Sequence, residues 1–346
     1  MMYPDSTPSR AAWLLRSAAR HLETIDPAPV MGAAIADATS TSGDAAPLSP
    51  QFAESAPGNL SVLVHPGGAA RDRVALSTEA TRRAVRQHLG REATRWLDGR
   101  MEPAQDARED AYFGLTVDRS GLAEGVVGFD LAGGHLEGLP PRLAALARAA
   151  VALVPGARVL STMIRCGRST GTQQVTVEPA ADLPLAALKP LMDELGLGHQ
   201  HASLMSAAAF LLGTRFTLPA GSARLTLRPI RSGVELRLDM ALEAIPDPPP
   251  ELLGLVRLWM SERPRSVQGL ERWLSAFTVD GFPDAGDVTV LSVWVRPDVP
   301  ARAALFLRPA ALAGAEVRPP AVAPPPPRPT APASAAAARY SPSPWE

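Results

Sequence analysis

The segment Arg224-Leu-Thr-Leu-Arg-Pro-Ile-Arg-Ser-Gly-Val-Glu-Leu-Arg-Leu-Asp-Met-Ala-Leu242 reads as two strands joined by a turn. Leu225 and Leu227 alternate with Arg224, Thr226 and Arg228. After Ser232-Gly233, Val234, Leu236, Leu238, Met240 and Leu242 alternate with Glu235, Arg237, Asp239 and Ala241. Successive strand side chains point to opposite faces, so the segment specifies a hairpin with one apolar and one charged face. The apolar face needs a cover. The charged face meets either bulk water or the inside of a closed barrel.

Four more segments repeat the pattern at a spacing of roughly fifty residues, within the range of structural repeats. The first is Leu60 to Ser77, turning at Pro66-Gly67-Gly68, and the second is Tyr112 to Leu131, turning near Ser120-Gly121. The third is Arg158 to Pro179, turning at Arg168 to Gly171, and the fifth is Val288 to Arg308, turning at Pro297-Asp298. Helical spacing follows each of the first four, as in Ala84, Val85, Leu89, Ala93, Trp96 and Leu97, or Leu143, Leu146, Ala147, Ala150 and Val151. A further helix, capped at Ser9, carries Trp13, Leu14, Leu22 and Ile25. Ten antiparallel strands with helices between the hairpins predict an α+β fold. Its sheet closes into a ten-stranded β-barrel with a polar lumen and an outer layer of helices, because closure removes the strand edges. Two open α+β sheets without a shared lumen are the alternative.

The predicted organisation is an N-terminal helix and loop over 1–58, one barrel domain over 59–314, and a Pro/Ala-rich tail over 315–346 that cannot bury a core. The net charge of -1 supplies no field for nucleic acid or a membrane surface. Hydrophobic residues make up 46% of the chain, yet no apolar run reaches the ~18 residues of a membrane span. The first residues lack a signal-peptide pattern, and Cys166 is the sole cysteine, so a cytoplasmic protein is expected. His199 and His201 lack further metal ligands, and Cys166 lacks an activating histidine, so both read as structural.

Leu191-Met-Asp-Glu-Leu-Gly-Leu197, leading into the fourth hairpin, and Gln174-Val-Thr-Val177 in the third are similar to the ABBA aromatic prenyltransferases. In order and turns, residues 60–312 resemble the soluble bacterial branch of that family. The resemblance implies transfer of an allylic group (dimethylallyl or geranyl) from its diphosphate to an aromatic small molecule, an indole or phenol, in secondary metabolism. It implies no obligatory cofactor, with Mg2+ accompanying the diphosphate in part of the family. It places Arg237 where these enzymes keep an arginine for diphosphate, Arg302 near a basic position of the last strand, and Arg228 where many members have tyrosine.

Such chemistry needs a cationic clamp, aromatic shielding of the allylic cation and a carboxylate to take a proton. By strand parity the lumen face carries Arg228, Arg237, Arg302 and Arg308 for the diphosphate, and Glu178 and Asp239 as carboxylates. Trp294, Phe306, Thr176 and Arg165 are the expected pocket lining. The chain departs from the family in having one lysine, Lys189, and three tyrosines, of which only Tyr112 falls among the strands. The second hairpin has Val126, Val127 or Gly128 where a basic residue is expected, and the first has Arg73, Ala75 and Ser77 where an acidic one is expected. The opposing reading pairs the arginines with Glu178, Glu235 and Asp239 as cross-strand ion pairs, leaving a non-catalytic accessory or ligand-binding barrel.

Overall fold

A computed structural model of the chain describes residues 7–31, 48–102, 108–131 and 136–312. The strands are β1 (Leu48–Ala53), β2 (Leu60–Val64), β3 (Arg108–Asp118), β4 (Gly121–Leu131), β5 (Ala157–Gly167) and β6 (Gly171–Pro179). They continue as β7 (Leu183–Pro184), β8 (Thr217–Leu218), β9 (Ala223–Ile230), β10 (Gly233–Ala241), β11 (Gly286–Arg296) and β12 (Val299–Pro309). Ten of them close into one antiparallel barrel in the order β1-β12-β11-β10-β9-β6-β5-β4-β3-β2, and β7 pairs with β8 outside it.

The fourth hairpin forms as its alternation predicts. Arg228 lies opposite Glu235, Thr226 opposite Arg237 and Arg224 opposite Asp239. On the other face Leu225, Leu227, Leu236 and Leu238 are fully buried under the helical layer. That layer comprises α1 (Thr7–Leu22), α2 (Ala70–His88), α3 (Gly90–Met101), α4 (Pro141–Leu153), α5 (Lys189–Glu194), α6 (His201–Leu211), α7 (Leu252–Trp259) and α8 (Pro264–Phe277). Helix α2 packs on β3 and β4, α4 on β5, β6 and β9, and α6 on β11 and β12. Leu143, Ala147 and Ala150 give α4 its buried stripe, and Leu270, Trp273 and Phe277 give α8 one that packs on α1. Each large apolar side chain removed from water contributes about 1.5–3 kcal/mol, so the main core lies between sheet and helices, outside the lumen.

The first hairpin differs from its sequence reading. Ala70–His88 is helical, so Arg73, Ala75 and Ser77 lie on α2, and the partner of β2 is β1. Ser77, Thr81, Ala84 and Val85 recur on one buried helix face, a period that outweighs the short alternation at its start. Strand β1 escapes notice because Pro50 interrupts it within a stretch rich in Ala, Ser and Pro. Pro50 is tolerated because β1 pairs with β12 only from Gln51 to Ala53, so its missing N–H falls where that ladder stops. The barrel therefore begins at Leu48 rather than at 59, and the segment 1–58 is not merely a helix and loop. The tail over 315–346 lies outside the described residues. Among the described residues no helix is long and apolar enough to cross a membrane.

Leu238→Ala should lower unfolding stability by about 2–5 kcal/mol, because it empties a fully buried site between barrel and helices. Urea unfolding followed by circular dichroism measures it; a loss under about 1 kcal/mol would contradict this packing.

Candidate functional site: a two-chambered lumen

The inward faces of the strands enclose a chamber of about 300 Å³. Beside it, toward the end of the barrel where β9 runs into β10, lies an annex of about 80 Å³. Gln51, Arg165 and Arg237 line both.

The chamber has a mixed wall. Leu63, Tyr112, Val126, Met163 and Phe306 supply apolar and aromatic surface, and Asp110, Asp130 and Asp239 supply carboxylates. Asp239 is buried and multiply engaged: it accepts from Ser292 Oγ at 2.5 Å, Arg237 Nε at 2.8 Å and Thr226 Oγ1 at 3.3 Å. Thr226 in turn lies 3.1 Å from Thr176, oxygen to oxygen, across the β6–β9 seam. Asp110 and Asp130 are direct cross-strand neighbours, an arrangement that destabilises a sheet unless compensated. Arg73 compensates it from α2, gripping Asp110 through Nε at 2.5 Å and a terminal nitrogen at 2.9 Å.

Tyr112 owes its place to a glycine. Its ring lies across Gly128, its partner in β4, where a Cβ would come within 2.1 Å of the ring. The His65 ring sits 5.1 Å away, centroid to centroid. Burial pushes the Tyr112 phenol up to about 12; Asp130 and Asp239 push the same way, against Arg237. Burial also holds His65 below its ordinary value, against the pull of Asp110.

The annex is basic. Arg165, Arg228, Arg237 and Arg296 line it with Glu235, Gln174 and Trp294. One oxygen of Glu235 accepts from Arg228 at 2.7 Å and from Arg296 at 2.6 Å. The Arg296 guanidinium also lies over the Trp294 ring, 4.7 Å from its centroid. Burial would raise the Glu235 carboxyl, but Arg228 and Arg296 outweigh it and hold the acid below its ordinary value. Arg165 is paired with Glu124.

The expected site residues thus divide. Asp239, Arg237, Thr176, Arg165 and Phe306 line the chamber, and Arg228 and Trp294 line the annex. Glu178, Arg302 and Arg308 line neither. Glu178 pairs with Arg158 at 2.7 Å and with Arg224 at 3.6 Å. Arg302 lies 3.5 Å from buried Glu54, and Arg308 pairs with exposed Glu243. Sequence reasoning missed Asp110, Asp130 and His65 as a set, whereas strand parity had already put Arg296 on the lumen face beside Trp294. Parity extended along β3 and β4 from Tyr112 would have found Asp110 and Asp130. Of the residues set aside as structural, His199 donates to the Pro297 carbonyl at 2.7 Å, and burial pushes the Cys166 thiol up to about 11.

No protein-family model matches the chain, and no curated protein matches it. Solved structures do. The 5-dimethylallyltryptophan synthase of Streptomyces coelicolor, in complex with DMASPP and Trp, superposes with a TM-score of 0.66 at 18% identity, covering 92% of this chain and 98% of that one. The 6-dimethylallyltryptophan synthase of Micromonospora olivasterospora, also with DMASPP and Trp, gives 0.68 at 14% identity over 89% and 99% of the two chains. The prenyltransferase PriB gives 0.65 at 13% identity over 89% and 98%. The fold is that of the ABBA prenyltransferases. The ten-stranded closed barrel with outer helices is the architecture they share.

Two measurements test the chamber. Tyr112 should ionise well above an ordinary tyrosine in an ultraviolet pH titration, and Tyr112→Phe should remove that step. Because the folded phenol is raised, its contribution is full below pH ~10 and is lost as pH climbs toward the folded value. Gly128→Ala should push the ring into the chamber, at a stability cost of about 1–3 kcal/mol, and reduce ligand binding.

Proposed function

We propose that the chain is an aromatic prenyltransferase, moving an allylic group from its diphosphate to the ring of an aromatic small molecule. The observation that carries this reading is the pairing of the two chambers. A partly apolar chamber, large enough for an aromatic acceptor and a short prenyl chain, abuts an arginine-lined annex inside one closed wall. The solved structures of the same fold in complex with DMASPP and Trp support it.

In this reading Arg165, Arg228, Arg237 and Arg296 face the diphosphate, since guanidinium forks suit phosphate oxygens. The bond between the allylic carbon and the diphosphate oxygen breaks, and the electron pair leaves with the diphosphate. Ring electrons of the acceptor form the new carbon–carbon bond, and the ring proton passes to a carboxylate of the chamber. Asp239, Asp110 and Asp130 are the acids that line it. Phe306, Tyr112 and Trp294 offer aromatic faces to the cationic allyl group. Glu178 is not assigned the proton, because it pairs with Arg158 and Arg224 and lines neither space. Arg302 and Arg308 are likewise left out of the clamp.

One observation favours a second reading, a barrel that binds ligand without turnover. Arg228 and Arg296 are paired with Glu235, Arg237 with Asp239, and Arg165 with Glu124. Incubation with dimethylallyl and geranyl diphosphates and a panel of indoles and phenols separates the two. Product formation is expected, with donor binding by calorimetry in the ~1 μM–1 mM range common for KM. Arg237→Ala should weaken donor binding about 10–100-fold, and Arg308→Ala should leave it unchanged. Binding without product would favour the second reading; folded protein that binds no donor would sink the first.

A further inference from the structure

The annex holds a carboxylate where an anionic ligand would be expected to sit. A single oxygen of Glu235 lies between two guanidiniums, 2.7 Å from Arg228 and 2.6 Å from Arg296. A phosphate oxygen bridging two arginines makes the same contact. Glu235 carries one charge for two cations, so this trio retains a positive charge.

Two guanidinium donors of the annex are also unmet. Arg228 Nε is buried and donates to no acceptor among the described residues, and so is Arg165 Nε. An unmet buried N–H of a charged group costs free energy that an entering oxyanion would recover. Burial is the largest influence on Arg228 and lowers it despite Glu235 beside it. Arg296 is held from behind by the Trp294 face, so its guanidinium is fixed in the annex whether or not Glu235 engages it.

We infer that Glu235 is a resident counter-ion of the anion site: it holds Arg228 and Arg296 together when the site is empty and competes with an entering diphosphate for both. The inference rests on the annex being the diphosphate end of the lumen, as proposed above. It differs from a purely structural ion pair in its sign. A structural carboxylate, once removed, leaves the arginines disordered and weakens anion binding. A competing carboxylate, once removed, leaves two preset guanidiniums and strengthens it.

Calorimetry of the full chain with inorganic pyrophosphate tests this. Glu235→Gln keeps the shape and removes the charge; it should raise pyrophosphate affinity by at least about tenfold, since a like charge within contact distance is gone. The double variant E235Q/R296Q should lose that gain. Unchanged or weaker binding by E235Q, or no pyrophosphate binding by either protein, overturns the inference. Should E235Q fail to fold by circular dichroism, Glu235→Asp, which withdraws the carboxylate by one methylene, should show a smaller gain; no gain overturns it as well. Failure of the prenyl-transfer reading looks different: E235Q gains pyrophosphate affinity, yet the unmodified chain yields no prenylated product from any donor and acceptor.

Discussion

Closure of the barrel depends on six residues, Leu48–Ala53, inserted between β2 and β12. Without them both neighbours would present open edges, and the charged inward faces would meet bulk water. The strand is fastened just beyond its end. Glu54, almost wholly buried, accepts from the Ala303 backbone N–H at 3.1 Å and from Ser266 Oγ at 3.2 Å, and pairs with Arg263. One carboxylate therefore ties the closing strand to β12 and to α8. Arg302, drawn to the same acid, is engaged in holding the ring shut rather than in facing a ligand.

Closure also sets the energetics of the lumen. A charge on an open sheet is hydrated, and its ion pairs are worth ~0–1 kcal/mol. Inside a closed wall, unpaired charges cost several kcal/mol, and breaking one pair costs more than the pair contributes. That explains why Arg165, Arg228, Arg237 and Arg296 each have a carboxylate within reach. The pairing is uneven, however. Asp239 receives a guanidinium and two hydroxyls, whereas Glu235 is shared by two guanidiniums. The surplus of cation lies in the annex at Arg228 and Arg296, whereas in the chamber Asp110, Asp130 and Asp239 stand among Arg165, Arg224 and Arg237.

Much of this was legible in the sequence. Alternation set the faces of β9 and β10, and the turns at Ser120-Gly121 and Pro297-Asp298 placed two other hairpins within a few residues. What stayed hidden has physical reasons. Strand β1 is short, contains Pro50 and draws its stability from partners far along the chain, so no local period marks it. Arg73 was counted as a strand residue because Arg73, Ala75 and Ser77 alternate as well as they fit a helix. In the site, parity told which side chains point inward but not how far along the axis each lies. Arg302 and Phe306 share a face of β12, yet one meets Glu54 and the other the chamber. Pairing is equally invisible, since the acid that neutralises Arg165 is Glu124 on the neighbouring strand.

Glycine at two lumen positions shows how the wall itself was shaped. Gly114 and Gly128 face inward on β3 and β4, and a Cβ on either would collide, with Leu63 in the first case and with Tyr112 in the second. Without a side chain of their own, these positions let neighbours lie flat along the wall instead of projecting across the lumen. The resemblance led one to expect a basic residue at Val126, Val127 or Gly128, and at Gly128 any side chain would displace the Tyr112 ring. The Tyr112 phenol is kept neutral by burial and by Asp130. The arginines of the annex come instead from β5, β9, β10 and β11, which bring Arg165, Arg228, Arg237 and Arg296 together.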